Sequence, residues 1–595
     1  MVKIRSILTV CAALLAFACS CGREGRQADP VYCNPLDLDY GWGVFKQELP
    51  LCRTSADPVI VLFKDKYYLF STHDVGGYRV SDNLYDWTDY KFNEEVREAA
   101  LNYGSYVAPA VAADDNYIYF IKLNRDRDSK TVKILRSADP VREGWEVCGE
   151  IRRVSDPTLL IADGHYYIYH GLGTGIRRLS LDPATMSEIP GSEIVVLPKA
   201  LSVDEVEGFE LGRRELFDEI EAVGWKGRFS MLPCQEGAWA VRRDGRTYLQ
   251  YATPGTICIW YCDALLTAEE GSDEYTPAPY NPVSLKAGGF IGGAGHSSVF
   301  EDKYGNWWEI TTMWIGNSNE FERRLGLFPV SYDEKGRMKV HTLLGDYPMS
   351  IPQRKFDPDK EPNLLGWMCL SAGAAVTASS ETPAHPAAHS SDEDVRTWWS
   401  ADPADTAPWI SMDLGETMTV QALQLNFSEQ DFTPDTFEED YTAYKVFGSE
   451  DGAKWKLLVD KSRNKRTNPH EFIAFKAPVR TRFLKLTCSH SMNGVPFAMR
   501  ELRVFGRGNG QAPPPVDAPA VERDSLDRRF ATVRWHPVEG ADGYLVRFGI
   551  APDFMNQCIQ VKGGQRDSLL VHILSRGQDY HFEVSAYNKN GISSK

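Results

Sequence analysis

Three carboxyl residues stand near the start of a repeated sequence unit. Asp57, Asp156 and Glu236 each open a stretch in which a short apolar strand, a turn and an aromatic-rich strand follow one another. Successive repeats occupy corresponding places in a repeat fold, so we expect the three side chains to face one centre. One protonated and one ionised carboxyl, held apart, can together carry out general acid–base hydrolysis.

Five copies of this unit follow one another, and we call the residues that open each copy its head. The copies begin at Asp57-Pro58 (DPVIVLFKDKYYLF), Ala108-Pro109 (APAVAADDNYIYF), Asp156-Pro157 (DPTLLIADGHYYIY), Glu236-Gly237 (EGAWAVRRDGRTYLQY) and Gly295-His296 (GHSSVFEDKYGNWWEI). Asp163-Gly164 and Asp244-Gly245 favour the positive φ of tight hairpin turns. Repeated small antiparallel sheets are typical of propeller blades. We therefore predict an all-β fold in which residues 31–353 form a five-bladed β-propeller.

Stretches rich in proline and glycine divide the rest of the chain. They lie at 357–362 and 508–519 and mark domain boundaries. We predict a second domain over 363–507 and a small β-sandwich over 516–595, where short alternating strands such as ATVRWHP and YHFEVSAYN occur. An insertion between the third and fourth copies is expected to form a loop with a solvated acidic face made of Glu205, Glu207 and Glu210.

The bulk composition excludes some classes of partner. The formal net charge is −17, from 65 basic and 82 acidic residues. This balance argues against nucleic acid or an anionic membrane as the main partner, whereas a neutral ligand such as a sugar is compatible with it. The 12 cysteines include no C-x-x-C pair, which favours buried thiols over a disulfide framework or a zinc site. We expect a monomer.

The N-terminus has the pattern of a secretion signal. Lys3 and Arg5 precede an apolar run over 7–18, which is too short to span a bilayer as a mature helix. The stretch Leu15-Ala16-Phe17-Ala18-Cys19 resembles a bacterial lipobox, and Cys21 is the less favoured alternative because Cys19 would then lie in the recognition segment. We therefore predict a lipoprotein-type signal peptide over 1–18, lipidation of Cys19, and a place in the bacterial cell envelope with membrane contact only through the lipid. A plain signal peptide and secretion are the alternative.

The first segment resembles glycoside hydrolase family 43, whose members are five-bladed propellers. The resemblance rests, in chain order, on the strings SADPVIV, SDPTLL, QEGAW and AGHSSVFEDKYGNWW. It implies that Asp57 is the general base, Glu236 the general acid, and Asp156 the residue that tunes and orients the acid. His296 matches the family histidine at the propeller axis, which holds a water or, in some members, a calcium ion. Val107 departs from the family, which usually has tryptophan there.

Four further residues are candidates for contact with a sugar. Tyr106 and Trp239 could stack on a sugar ring, and Arg323 and Arg324 could reach sugar hydroxyls from the last copy. No cofactor is expected to be required. The resemblances allow a structural calcium ion near His296 or in the second domain.

The other two segments also resemble known domains. The second resembles a discoidin-type domain (the coagulation factor C-type sandwich), through the strings RTWWS, WISMDLG, YKVFGSEDGAKW, RFLKL and ELRVFG. In secreted hydrolases such domains often serve as carbohydrate-binding modules. The third resembles a fibronectin type III domain, through GYLVRF and YHFEVSAYNKNGIS, and we expect it to act as a spacer.

The predicted function is that of an inverting, exo-acting glycoside hydrolase that removes arabinofuranosyl or xylosyl residues from plant glycans. A galactofuranosidase of the same family is an alternative. Retaining enzymes of the invertase type open with an Asn-Asp-Pro-Asn-Gly type string, whereas this chain has Ala56-Asp57-Pro58-Val59. A non-catalytic glycan-binding propeller predicts a missing carboxyl at one head, yet Asp57, Asp156 and Glu236 are all present.

Overall fold

A computed structural model describes residues 28–43, 52–72, 77–99, 106–123, 129–212, 232–258, 260–431 and 440–594. The predicted signal peptide, Cys19 and residues 213–231 of the insertion lie outside them. Helix is scarce in the described ranges, which contain the α-helix Glu94–Ala99 and short 3₁₀ helices at Gly208–Glu210, Ala387–Ser390 and Met492–Gly494. Within these ranges no helix is long and apolar enough to cross a membrane. The nine described cysteines are free thiols.

Five antiparallel sheets of four or five strands form the first part of the chain. Each sheet begins with the hairpin of one sequence copy, and further strands complete it. The first strand of each sheet contacts the first strands of both neighbouring sheets, so the five sheets close into a ring around an axis. The predicted all-β, five-bladed propeller is therefore confirmed.

The strand bounds follow the repeat. The strands of blades 1 and 2 are Ala56–Phe63, Lys66–Thr72, Gly77–Ser81 and Trp87–Lys91, then Val107–Ala113, Ile118–Leu123, Thr131–Ser137 and Glu146–Arg152. Those of blade 3 are Thr158–Ala162, His165–His170, Gly175–Asp182, Ser187–Glu188 and Ile194–Pro198. Those of blades 4 and 5 are Glu236–Arg243, Arg246–Thr253, Cys262–Glu269 and Thr276–Pro277, then Gly292–Glu301, Trp307–Trp314, Arg323–Tyr332 and Met338–Val340. Two small ladders join Val31–Tyr32 to Met349–Ser350 and Trp42–Gly43 to Cys52–Arg53.

Each blade head carries one residue in the left-handed backbone conformation. These residues are Asp57 (φ 50°), Ala108 (43°), Asp156 (45°), Gly237 (58°) and His296 (50°). Such backbone costs about 1–2 kcal/mol for a residue other than glycine and is concentrated at functional sites. Asp57 and Asp156 are themselves the left-handed residue, whereas Glu236 precedes it. The three carboxyls therefore do not occupy equivalent positions in their blades.

The second part of the chain is an eight-stranded antiparallel sheet that folds over its own core. Its strands are Met368–Cys369, Ala375–Ala378, Trp399–Ser400, Trp409–Phe427, Ala443–Ser449, Lys456–Lys461, His470–His490 and Ala498–Arg507. Two of them run for 19 and 21 residues. The register between these two shifts twice along their length, which lets each bend across the apolar core that includes the wholly buried Trp399. This is the predicted discoidin-like fold.

Seven strands in two sheets form the third part, a β-sandwich. One sheet holds Ala520–Arg523, Ala531–Arg534 and Ser568–Val571, and the other Gly543–Gly549, Gln557–Lys562, His581–Asn588 and Gly591–Ile592. The propeller segment Ala287–Gly288 adds a parallel strand to the second sheet, beside Gln557–Lys562. The expected spacer role is therefore wrong, because this sandwich packs directly on the propeller. Its assignment to the fibronectin type III family stays a prediction.

Buried charged side chains join the second domain to the propeller. Arg324 donates from Nε to His470 Nε2 at 2.8 Å, and its Nη2 lies 3.5 Å from Glu429 Oε1. From the second domain, Arg500 Nη2 donates to Glu322 Oε1 at 2.8 Å. The prediction that Arg324 reaches a sugar is wrong, because its guanidinium is wholly buried in this domain interface.

Candidate active site

Asp57 is held from several sides at the head of blade 1. Its Oδ2 accepts a hydrogen bond of 2.5 Å from Thr72 Oγ1. Its Oδ1 lies 3.1 Å from His296 Nδ1 and 3.7 Å from Arg323 Nη1. Thr72 Oγ1 in turn accepts from the backbone N–H of Ala108 at 2.8 Å, so blade 2 helps to orient Asp57 although its own head carries no acid. A hydroxyl donor and two basic side chains favour the ionised carboxylate that a general base needs.

Glu236 has a contrasting environment. Its Oε1 accepts from the Tyr261 hydroxyl at 2.7 Å, its Oε2 accepts from Cys234 Sγ at 3.2 Å, and the residue is 8% exposed. Burial raises the pKa of Glu236 and the Asp57 charge adds to the rise, although His296 and the two donors act against it. The carboxyl therefore keeps its proton to a higher pH than an exposed glutamate does, as a general acid requires.

Asp156 is electrostatically linked to both of these groups. Burial raises its pKa to about 7, while His296 opposes the rise and the charges of Glu236 and Asp57 reinforce it. Neighbouring carboxyls resist being ionised together. Burial, rather than the charge of a neighbouring carboxylate, is the largest cause of the raised pKa of Glu236.

His296 lies among four acids. Its backbone N–H donates to Asp263 Oδ1 at 2.9 Å, and its ring faces Asp57. Burial lowers the pKa of His296, but the charges of Asp57, Asp156, Glu236 and Asp263 outweigh burial and raise it. Among the described residues no group of three or more His, Cys, Asp or Glu is arranged to hold a metal ion. A structural calcium ion here or in the second domain stays a prediction.

The structure brings Arg323 to this site and leaves two predicted residues out. Besides its approach to Asp57, Arg323 Nη1 donates to Thr256 Oγ1 at 3.2 Å. Tyr106 is wholly buried and is bonded through its hydroxyl to a backbone carbonyl in blade 1. Trp239 is 8% exposed, and its indole N–H donates to a carbonyl of blade 5. Both aromatic residues pack in the apolar core between blades, so their predicted stacking on a sugar is wrong.

Several contacts of the acids come from residues outside the heads. Thr72 ends the second strand of blade 1, and Cys234 lies just before the head of blade 4. Tyr261 lies just before the third strand of blade 4, and Asp263 lies at the start of that strand. Their positions relative to the sequence copies do not mark these four residues as part of the site. The placement of Cys234, two residues before the predicted acid, was the one available signal.

A five-bladed propeller that gathers carboxyls with contrasting protonation at its blade heads has the architecture of the propeller glycosidases. Residues 49–338 match the family model described as glycosyl hydrolases family 43, and residues 375–502 match the F5/8 type C domain. The chain thus carries a family 43 glycoside hydrolase domain followed by an F5/8 type C domain. The resemblances of the first segment to glycoside hydrolase family 43 and of the second to a discoidin-type domain are confirmed.

Several solved structures are similar to the chain at low identity. The GH43 BlXynB protein from Bacillus licheniformis is 14% identical with a TM-score of 0.40, over 80% of this chain and 99% of that one. An endo-1,4-beta-xylanase from Bacteroides thetaiotaomicron is 17% identical with a TM-score of 0.37, over 48% and 94%. An exo-1,5-alpha-L-arabinanase from a bovine ruminal metagenomic library is 17% identical with a TM-score of 0.34, over 49% and 97%. A comparison with curated proteins finds no match.

Proposed function

We propose that the propeller is an inverting, exo-acting glycoside hydrolase that removes arabinofuranosyl or xylosyl residues from plant glycans. The contrast between Asp57 and Glu236 carries the proposal. Asp57 faces a hydroxyl donor and two basic groups, whereas burial raises the pKa of Glu236. One carboxyl is thereby prepared to accept a proton and the other to donate one.

In the proposed reaction Asp57 removes a proton from a water molecule as that water attacks the anomeric carbon. Glu236 protonates the glycosidic oxygen as the bond to the leaving group breaks, so the anomeric configuration inverts. The charges of Glu236 and Asp57 raise the pKa of Asp156, and by the same repulsion an ionised Asp156 favours the proton on Glu236. Arg323 stands beside Asp57, where its guanidinium can donate to a sugar hydroxyl.

Two substitutions test these roles on a panel of nitrophenyl arabinofuranosides, xylosides and galactofuranosides. Asp57→Asn is expected to lower kcat on the cleaved glycoside by about 10²–10⁴-fold, because general acid–base catalysis contributes that much. Glu236→Gln should cost as much on an alkyl glycoside of the same sugar and less on the nitrophenyl glycoside, because a nitrophenyl leaving group needs less protonation. Asp163→Asn is the matched control, since its side chain is 62% exposed in the hairpin turn of blade 3, and it should retain wild-type activity. Full activity of Glu236→Gln on every glycoside that the wild type cleaves would reject the proposal.

The same panel separates the alternatives. Cleavage of galactofuranosides alone would favour the galactofuranosidase, and cleavage of none of the panel would favour a glycan-binding propeller without catalysis. The exo-acting mode follows from the family resemblance and is tested by product size, since release of monosaccharide from a polymer is expected. Longer first products would contradict it.

We further propose that the chain is exported and lipidated at Cys19, and that the discoidin-like domain holds the enzyme near its glycan. The charged start, apolar run and lipobox-like string of the N-terminus support export. Incorporation of a labelled fatty acid by the wild type, and its loss in Cys19→Ser, is the expected result. The third domain is proposed to be of the fibronectin type III family and the protein to be a monomer, which size-exclusion chromatography with light scattering tests.

A further inference from the structure

The third domain contacts the loop that supports Glu236. His572, which is 2% exposed, packs edge-on against Trp260, with 4.4 Å between ring centroids and 90° between ring planes. The next residue, Tyr261, is the hydroxyl donor to Glu236 Oε1. Trp260 itself is half-buried, and an edge-to-face contact with the buried ring of His572 favours one orientation of its side chain. The contact therefore holds Trp260, the residue directly before Tyr261, against the third domain.

The same domain also holds the described part of the insertion, residues 201–212. Arg529 Nη1 donates to the carbonyl of Val206 at 3.1 Å. At Gly208 the two backbones approach so closely that a Cβ would lie 2.5 Å from the carbonyl oxygen of His572. This part of the insertion is thus attached to the third domain at more than one point.

Glu210 connects this segment to the acid. Its Oε1 accepts from the Tyr251 hydroxyl at 3.1 Å and from Gln235 Nε2 at 3.3 Å, and Gln235 directly precedes Glu236. The solvated face predicted from the sequence is wrong for Glu210, because the side chain is buried. A second route therefore leads from the third domain to Glu236, independent of Trp260.

We infer that the third domain positions the general acid, through His572 on Trp260 and through Arg529 on the insertion. The inference rests on the proposed function, since it concerns the step in which Glu236 donates its proton. His572 and Arg529 are positioning residues, because each acts through an intermediate segment. A displacement of about 1 Å in a catalytic group can cost on the order of 10²-fold in rate, so a domain that holds the acid in place affects activity directly.

The test compares leaving groups in the full-length His572→Ala variant. The dinitrophenolate leaving group departs with little need for protonation, whereas cleavage of an alkyl glycoside of the same sugar depends on the acid. We expect kcat/KM to fall about ten-fold on the alkyl glycoside and less than about two-fold on the dinitrophenyl glycoside. His572→Phe keeps a ring against Trp260 and should restore most of the loss. Leu526→Ala, at a third-domain residue that is 97% exposed, should leave both rates unchanged.

The possible results separate this inference from the proposed function. A wild type that cleaves neither glycoside would sink the proposed function, and the inference with it. An active wild type with equal losses on both glycosides in His572→Ala, or with no loss on either, would overturn the inference alone. If His572→Ala does not fold, Arg529→Lys is measured in the same way, because lysine keeps the charge but loses the guanidinium fork. The same selective loss supports the inference, and its absence rejects it.

Discussion

The hydroxyl of Tyr261 donates a 2.7 Å hydrogen bond to Oε1 of Glu236, and this contact opposes the effect of burial on the pKa of the acid. Burial favours the protonated carboxyl, and the hydrogen bond favours the carboxylate. The balance between them sets the pH range over which Glu236 can act as an acid. Tyr261 also limits how the carboxyl rotates, so it influences both protonation and orientation.

Replacing Tyr261 by phenylalanine should separate these two influences. The loss of the donor destabilises the carboxylate, so the pKa of Glu236 rises and the falling limb of the kcat/KM profile moves to higher pH. We also expect kcat at the optimum to fall about ten-fold, because the acid is less well oriented. Tyr169→Phe is the control, since its hydroxyl bonds Tyr275 in another part of the propeller. If the falling limb of the kcat/KM profile moved to lower pH in Tyr261→Phe, this account would be contradicted.

Asp156 should make the protein less stable as the pH rises. Its pKa is about 7 in the folded chain against an ordinary value of 3.8, so the folded state retains a proton that the unfolded state releases. The stabilising effect of this proton is complete below the ordinary pKa of the carboxyl and is lost as the pH rises through its folded-state pKa. In Asp156→Asn the melting temperature should therefore decline less between pH 4 and 7 than in the wild type. Parallel declines would show that Asp156 does not titrate as described.

Gly237 should tolerate no side chain. Its φ is 58°, and a Cβ there would lie 2.6 Å from Cγ of His296. Gly237→Ala is expected to displace His296 and to lower activity at least about ten-fold, because His296 contacts Asp57. Gly245→Ala in the same blade is the control, with a φ of 73° but only distant contact to Glu270. It should lose about 1–2 kcal/mol of stability and keep its activity. Equal activities would contradict the proposed close fit.

Arg500 should be important for the attachment of the second domain. Its side chain is buried against Glu322 of the propeller at 2.8 Å, and removal of one partner from a buried pair costs about 3–5 kcal/mol. Arg500→Ala should lower the free energy of unfolding by that amount in denaturant melts. Arg482→Ala, which breaks a more exposed pair with Asp413 in the same domain, should have a much smaller effect. Similar losses in both variants would contradict the assigned role of the interface.

Much of the fold was predictable from the sequence because the propeller repeats its hairpin five times. The heads also indicated Asp57, Asp156, Glu236 and His296 as site residues, because each head leads into one of the five first strands that form the ring around the axis. The offset of Glu236 from the other acids was not predictable, because it depends on which residue of the head adopts the left-handed backbone. Sequence position alone could not show it.

The remaining errors share one physical cause. Tyr106, Trp239, Arg324 and Glu210 all have residue types that suit a sugar site or a solvated surface. Each is instead buried by a separate element of the fold. Another blade covers Tyr106 and Trp239, the second domain covers Arg324, and blade 4 covers Glu210. Long-range packing of this kind leaves no local pattern in the chain.

Proton NMR of the first sugar released by the wild type tests the central assignment most directly. If Asp57 acts as a base on water while Glu236 protonates the leaving oxygen, the first-formed anomer must have the configuration opposite to that of the substrate. The spectrum recorded before mutarotation should therefore show the inverted anomer. Net retention of configuration would contradict the account, because it would require a carboxylate to attack the sugar itself.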